Sequence, residues 1–231
     1  MSLQAVIFDL DDTLYDFVIL HLRALESMAD CGASRFGLPK ELFLQAYREE
    51  DRKIKQEQPY AAAGHNRILI IQRMMERMGL PSLGEIPLTL YEAYWGVFIR
   101  NMVPRDGAEE LLKTLHNRDI RTCICTDMTA HIQHRKLMAL GLADCIDYMV
   151  SSEEAGVEKP NPAMFRMCLD KMKVQPEQCM MVGDSFERDI CGAAGVGITP
   201  VWLNARDQAK PEAAFAFREI HTLSELHTII G

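Results

Sequence analysis

The second half of the chain alternates between short apolar segments typical of buried strands and amphipathic segments typical of helices. Repeats of this kind are typical of a parallel sheet, because parallel neighbours need a crossover connection that is usually a helix. The predicted segments are helix 107–117, strand 121–126, helix 130–140, strand 148–151, helix 162–172, strand 179–182, helix 187–194 and strand 199–203.

The first strand of this sheet lies far upstream, at residues 4–10, where a run of β-formers ends in acidic residues. From there to residue 103 the apolar residues recur at three- and four-residue spacing, which predicts helices only. We therefore expect a doubly wound parallel α/β core, Rossmann-like, made of residues 1–15 and 103–231, with an all-helical cap domain inserted at 16–102. The predicted cap helices are 17–36, 40–58, 66–79 and 88–101.

Charge and hydropathy exclude several classes of partner. The formal net charge of −8 argues against a nucleic acid polymer, because a protein that binds the phosphate backbone carries a basic face. No run of about 18 uncharged apolar residues occurs in the sequence, and its start lacks the basic segment of a signal peptide. We expect a cytoplasmic protein without membrane partners. Oligomeric state is not predicted by the sequence.

Three carboxylates, Asp9, Asp11 and Asp12, lie within four residues directly after the first strand. In open α/β sheets ligands bind beyond the carboxyl ends of the strands, so this position is a candidate site. An acidic turn or helix cap is the alternative, because Asp and Thr are common in both. An EF-hand loop is excluded because its glycine and terminal glutamate are missing.

Three later segments on the same side of the predicted sheet also carry polar side chains. Thr126 and Asp127 end the second strand, and the Thr126 hydroxyl can donate a hydrogen bond to a phosphoryl oxygen. Lys159 stands just before Pro160 and can balance negative charge. Asp184 and Asp189 offer the hard oxygen ligands that divalent cations prefer. Each feature alone is commonplace, but together they predict a site for a cation and a phosphoryl group.

These residues, in this order, resemble the motifs of the haloacid dehalogenase (HAD) superfamily: D-x-D-x-T at 9–13, Thr126, Lys159, and G-D-x-x-x-x-D at 183–189. The resemblance spans the whole predicted core, and the helical insertion is similar to the small helical cap of that superfamily. It implies a Mg²⁺-dependent hydrolase, a phosphatase that forms an aspartyl-phosphate intermediate. Its substrate would be a phosphorylated small molecule, either a nucleoside monophosphate or a sugar phosphate.

The resemblance also implies a role for each motif residue. Asp9 would attack phosphorus, and Asp11 would protonate the leaving alkoxide and later activate the hydrolytic water. Thr126 and Lys159 would bind the transferring phosphoryl group. The implied metal-binding residues are Asp9, Asp11 through its backbone carbonyl, Asp184 and, in a supporting position, Asp189.

Other activities of the same superfamily stay open at this point. Dehalogenases lack an acid at the second Asp of the first motif, so Asp11 indicates a phosphatase. A phosphonate hydrolase would need a Schiff-base lysine from the cap, for which Lys40, Lys53 and Lys55 are candidates. Phosphomutases usually have glycine where Asp12 stands. A non-catalytic binding or regulatory relative is disfavoured, because the motif residues are all present.

Substrate contacts are the least determined part of the prediction. Asp127 departs from the superfamily pattern, in which many members have Asn after the Thr, and it is a candidate for a polar substrate group. In the cap, the loop at 58–67 offers His65, Asn66 and Arg67 as candidate contacts. The alternative for this loop is an ordinary connection between helices.

Overall fold

The computed structural model describes residues 2–230. The described residues form two compact units, one made of residues 2–16 and 103–230 and the other of residues 17–102. Within the described residues, no helix combines the length and the apolar character needed to cross a membrane.

Strands and helices alternate through the larger unit, whereas the smaller unit contains helices only. The strands are β1 (Ala5–Phe8), β2 (Arg121–Thr126), β3 (Tyr148–Ser151), β4 (Cys179–Gly183), β5 (Thr199–Leu203) and β6 (Arg218–Ile220). The α-helices are α1 (Phe17–Phe36), α2 (Lys40–Glu57), α3 (Arg67–Arg77), α4 (Glu85–Arg100), α5 (Ala108–Asn117), α6 (Ala130–Leu140), α7 (Ser152–Ala155), α8 (Pro162–Met172), α9 (Gly192–Ala194) and α10 (Leu226–Ile230).

The six strands form one parallel sheet in the order β3-β2-β1-β4-β5-β6. The order reverses at β1, which is the topological switch point of a doubly wound sheet. The predicted fold class is therefore confirmed. Because all strands run in the same direction, their carboxyl ends meet at one edge, and this edge carries the polar residues of the sequence motifs.

The central strand is apolar because it is covered on both faces. All four residues of β1 are at most 1% exposed. Phe8, the last residue of β1, lies opposite Ile124 of β2 and Val182 of β4, so these three strands end within two residues of one another. This register sets the residues that follow β1, β2 and β4 side by side.

Helix α8 covers one face of the sheet through Met164, Phe165 and Cys168, which are all fully buried. Its start is encoded locally: the Asn161 side chain accepts a hydrogen bond from the Ala163 N–H at 3.0 Å, and a proline follows at the first helical position.

Two features near the carboxyl end of the chain differ from the predictions. The predicted helix at 187–194 is a π-helix, Phe186–Cys191, followed by the short α9. Strand β6 and helix α10 were not predicted, because β6 has three residues, two of them charged, and lacks an apolar run. The π-helix sits at the carboxyl end of β4, where such wide turns often accompany functional sites.

The smaller unit packs its four helices around an aromatic core that includes Tyr94, Trp95 and Phe98 of α4. Helix α3 starts after Asn66, whose side chain caps the helix by accepting from Leu69 N–H. Helix α4 starts at Glu85, three residues before the predicted start. Its Pro87 lies in the first turn, where a helix tolerates proline.

Candidate active site

The loop after β1 holds Asp9 in a buried position at the centre of the sheet edge. Asp9 is 6% exposed, and its backbone N–H donates to Val182 O at 2.9 Å. The Thr13 hydroxyl donates to Asp9 Oδ2 at 3.2 Å and accepts from the Asp184 N–H at 3.2 Å. Thr13 therefore links the loop after β1 to the loop after β4.

Two arginines anchor the outer part of this loop. Arg105 donates to the backbone carbonyls of Thr13 and Asp12 at 3.1 and 2.9 Å, and forms an ion pair with Asp16 at 2.6 Å. Asp12 has φ of +64°, a left-handed conformation that glycine adopts most easily. The Asp12 carboxylate pairs with Arg206 at 2.6 Å.

Lys159 joins the acidic residues that follow β1 and β4. Its Nζ donates to Asp9 Oδ1 at 2.5 Å and to Asp189 Oδ1 at 2.7 Å, and the side chain is 3% exposed. Burial opposes a charged ammonium, but the charges of Asp189 and Asp9 outweigh it and raise the pKa of Lys159 well above its usual range. Lys159 is therefore a buried, permanently charged cation.

Three carboxylates converge beside this lysine. Asp9, Asp184 and Asp189 each offer one oxygen, and these oxygens lie within 4.8 Å of one another. Asp189 uses its second oxygen to accept the Ser185 N–H at 3.0 Å. The backbone of Asp184 is held by the Trp202 indole, which donates to Asp184 O at 2.8 Å. The group is an arrangement of hard oxygen donors suited to a divalent cation.

Crowding within this group changes its protonation. Burial raises the pKa of Asp9 well above its usual range, Lys159 opposes this rise, and the charge of Asp189 adds to it. Burial, together with the charges of Asp189 and Asp12, raises the pKa of Asp184 to about 7. Both directions are those expected of buried carboxylates placed next to one another.

Asp11 is held by residues outside the recognised motifs. Lys136 of α6 donates to both of its carboxylate oxygens, at 2.7 and 2.8 Å, and the Lys136 side chain is fully buried. The Tyr15 hydroxyl donates to Asp11 Oδ1. The Asp11 side chain itself is 27% exposed, so it is accessible to a ligand at the sheet edge.

The Thr126 hydroxyl ends β2 in a buried position, where it accepts a hydrogen bond from the side-chain amide of Gln133. A hydroxyl that accepts from a neighbour keeps its own proton available for another acceptor. Gln133 therefore orients Thr126 as a hydrogen-bond donor.

Asp127 is occupied by protein partners. Its Oδ1 accepts the Lys159 backbone N–H at 2.8 Å, and its Oδ2 pairs with Arg188 at 2.6 Å. Its side chain is 7% exposed. Burial raises the pKa of Asp127, while Lys159 and Arg188 lower it. These contacts favour a role in holding the Lys159 loop, and the predicted substrate contact of Asp127 stays a prediction.

Sequence comparison identifies the family to which this arrangement belongs. The haloacid dehalogenase-like hydrolase family profile matches residues 3–197, which include every motif residue named above. The chain belongs to this family. Phosphatase relatives align with nearly the whole chain, and it is an enzyme of the phosphatase type.

Several relatives of this HAD phosphatase cover nearly the whole chain. It is 34% identical to ribulose-1,5-bisphosphate 5-phosphatase of Halopiger xanaduensis, over 98% of this chain and 99% of the relative. It is 29% identical to glyceraldehyde 3-phosphate phosphatase of Pyrococcus furiosus, over 99% and 92% respectively. A crystal structure of a HAD phosphatase from Thermococcus onnurineus matches with a TM-score of 0.77, at 25% identity, over 100% of this chain and 98% of that one.

Two of the candidate substrate contacts of the helical unit differ in exposure. Arg67 is 7% exposed, with its guanidinium carbon 4.8 Å from the ring centre of Tyr94 and 5.4 Å from that of Trp95. Its Nη1 donates to His65 O at 3.1 Å. Burial among aromatic rings favours a structural role for Arg67, whereas His65 is only partly buried. A substrate role for either residue stays a prediction.

Sequence reasoning missed Lys136 and Gln133. Both lie on the buried face of α6, together with the apolar residues Ile132, Leu137 and Leu140. Long polar side chains at positions where an amphipathic helix normally carries apolar residues need buried partners. This pattern in the sequence could have indicated that Lys136 and Gln133 have buried polar partners, which are Asp11 and Thr126 in the structure.

Gly183 permits the close approach of Asp189, so we expect Gly183→Ala to disturb the acidic group. An added Cβ would overlap the Asp189 carboxylate. We expect a loss of about 1–3 kcal/mol in the free energy of unfolding, as for other overpacked interiors. Urea denaturation measures this loss. Gly195→Ala is the matched control, because Gly195 has an ordinary helical backbone. Equal stability of the two variants would contradict this packing argument.

Proposed function

We propose that this HAD phosphatase hydrolyses the monoester of a small sugar phosphate through an aspartyl-phosphate intermediate on Asp9, with Mg²⁺ as cofactor. The observation that supports this most is the contact of Asp9 with the buried Lys159 at 2.5 Å, beside Asp184 and Asp189. This arrangement places a nucleophile, a cation for the phosphoryl oxygens and a set of metal ligands within one site.

In the proposed reaction, Asp9 Oδ attacks phosphorus while the bond to the ester oxygen breaks. Asp11 gives its proton to the leaving oxygen, and then takes a proton from the water that hydrolyses the aspartyl phosphate. Lys159 and the Thr126 hydroxyl bind the phosphoryl oxygens throughout. These two steps release the alcohol and inorganic phosphate, and they return Asp9 and Asp11 to their starting protonation states.

The donor set and its protonation support Mg²⁺. Asp9, Asp184 and the backbone carbonyl of Asp11 would hold the ion, with Asp189 in support, and all are the oxygen ligands that Mg²⁺ prefers. Burial and the charges of neighbouring carboxylates raise the pKa values of Asp9 and Asp184, and a bound divalent cation would oppose this rise. When bound, Mg²⁺ would neutralise charge on the phosphoryl group and on the nucleophile.

The relatives favour a sugar phosphate as substrate, and the contacts of two cap lysines argue against phosphonate chemistry. The full-length relatives named above act on a ribulose bisphosphate and on glyceraldehyde 3-phosphate, both small sugar phosphates. Lys40 and Lys55, candidate Schiff-base lysines, form ion pairs with Asp30 and Asp51. The hydrogen bond to Asp30 raises the pKa of Lys40, whereas a Schiff-base lysine needs a lowered pKa.

A phosphate-release panel tests the proposed function. The panel contains ribulose-1,5-bisphosphate, glyceraldehyde 3-phosphate, hexose phosphates, nucleoside monophosphates and a phosphonate, each with MgCl₂ or with EDTA. We expect Mg²⁺-dependent phosphate release with the largest kcat/KM on a small sugar phosphate. A preference for nucleotides would reject the substrate class alone. Release from the phosphonate alone would reject the phosphatase mechanism.

Metal binding is expected to change how stability depends on pH. In the metal-free protein the pKa of Asp184 is about 7, against about 3.9 in an unfolded chain. The folded state therefore binds this proton more tightly, and stability falls as pH rises from about 4 to about 7. Mg²⁺ binds the ionised carboxylates, so we expect it to raise Tm more at pH 8 than at pH 5.

Differential scanning fluorimetry in EDTA and in MgCl₂ measures both effects. Asp184→Asn is the comparison variant, since it removes the titrating group, and we expect it to reduce the Mg²⁺ response. A Tm that changes with neither pH nor Mg²⁺ would argue against a metal site at Asp9, Asp184 and Asp189.

A further inference from the structure

Lys136 is a buried charge that the motifs of this chain do not explain. It lies in the second turn of α6, its side chain is fully buried, and its Nζ contacts both Asp11 oxygens. The Met128 sulfur lies 3.4 Å from the same nitrogen. A buried ammonium is costly unless it is paired, so its placement against Asp11 is a specific feature of this interior.

Asp11 receives two different donors from two different elements. Lys136 comes from α6, whereas the Tyr15 hydroxyl comes from the loop after β1 and donates to Oδ1. The Lys136 ammonium also lies 5.7 Å from the centre of the Tyr15 ring, so the two donors support each other. An aspartate on a loop would otherwise rotate among several side-chain conformations. These contacts restrict the carboxylate of Asp11 to one orientation.

We propose that Lys136, supported by Tyr15, is the positioning residue that orients Asp11 for proton transfer in the phosphatase reaction. The inference rests on the proposed function, since it assigns Asp11 the proton transfers described above. A catalytic group that is held in place before substrate binds avoids the cost of ordering it during the reaction. Lys136 therefore acts through Asp11, because its Nζ contacts both carboxylate oxygens of that residue.

The dependence on leaving group distinguishes this role from a structural one. The leaving oxygen of an alkyl phosphate needs a proton as it departs, whereas p-nitrophenolate is stable enough to leave as the anion. The ratio kcat/KM reports events up to the first irreversible step, which includes departure of the leaving group. A variant with a misplaced Asp11 therefore loses kcat/KM on an alkyl phosphate but retains it on p-nitrophenyl phosphate.

We expect Lys136→Met to lower kcat/KM on the best sugar phosphate of the panel by about 10- to 100-fold. On p-nitrophenyl phosphate the loss should stay below about threefold on the same basis. Lys136→Arg keeps the charge and should recover part of the loss. Lys113→Met is the matched control, because Lys113 is an exposed lysine paired with Glu109 on α5, and it should leave both substrates unaffected.

A double-mutant cycle tests whether Lys136 acts through Asp11. In an Asp11→Asn background, Lys136→Met should cause no further loss on the sugar phosphate. A further loss there, or an equal loss on both substrates in the single variant, would overturn the inference. If thermal unfolding shows that Lys136→Met does not fold, Tyr15→Phe replaces it in the test. This variant should then lose kcat/KM on the sugar phosphate but not on p-nitrophenyl phosphate, and an equal loss on both substrates would overturn the inference.

These outcomes are distinct from a failure of the proposed function. Wild-type protein without turnover, or an Asp9→Asn variant with full turnover, removes the phosphatase mechanism and this inference with it. If the wild-type protein turns over normally but the Lys136 variants lose kcat/KM equally on both substrates, only the inference about Lys136 is rejected.

Discussion

Asp9→Asn is expected to abolish Mg²⁺-dependent phosphate release, with a fall in kcat of at least about 10³-fold. The amide has nearly the same shape as the carboxylate but cannot attack phosphorus. Its single amide oxygen also replaces only one of the two Asp9 oxygens that accept from Lys159 and Thr13, because the amide nitrogen is a donor. Phosphate release in the presence of saturating MgCl₂ measures the effect on the sugar phosphate found in the panel.

Stability should move in the other direction for the same variant. Because burial raises the pKa of Asp9 well above its usual range, its ionised form opposes folding at neutral pH. We therefore expect Asp9→Asn to have an equal or higher Tm in EDTA. Asp170→Asn, an exposed position on α8, is the matched control for both measurements. Retained activity, or a lower Tm that accounts for lost activity, would argue against a nucleophilic Asp9.

Lys159→Met carries the second largest expected effect, on activity and stability together. It removes the cation that contacts Asp9 and Asp189, and this lysine side chain is only 3% exposed. Breaking a buried ion pair on one side costs about 3–5 kcal/mol, because the remaining carboxylates are left uncompensated. Loss of the positive charge that binds the phosphoryl group should lower kcat/KM by about 10²- to 10³-fold.

Urea denaturation and phosphate release measure the two parts of this prediction separately. The loss of stability should be smaller at pH 5 than at pH 8, because the raised pKa of Asp9 favours its uncharged, protonated form at the lower pH. Lys113→Met again serves as the control. A stable Lys159→Met protein with wild-type turnover would show that Lys159 neither balances these carboxylates nor binds the phosphoryl group.

The fold was predictable because its signals are local. Alternating strand and helix patterns predicted the parallel sheet, and the long helical segment after the first strand was visible from its apolar spacing. The structure departs from these predictions where a local signal is weak. Strand β6 has three residues at a sheet edge, and the π-helix Phe186–Cys191 forms from the contacts of Ser185 and Asp189 with backbone N–H groups.

The candidate site was partly predictable because parallel strands end at one edge. That rule predicted that Asp9, Thr126 and Asp184 lie close together, although they are far apart in the sequence. The contacts of Lys159 with Asp9 and Asp189 give this grouping a geometry. The roles of these residues in catalysis remain predictions, and the variants above test them.

By itself, the sequence determined the fold class, the family and the positions that carry reactive groups, because each follows from residue type and spacing along the chain. The tertiary structure alone decided which buried charges meet. It paired Lys136 with Asp11, and Arg188 with Asp127, across 125 and 61 positions of sequence. Which charges pair depends on distances of a few ångströms between residues that are far apart in the sequence. Only the packing of the interior sets those distances, and unpaired charges are costly there.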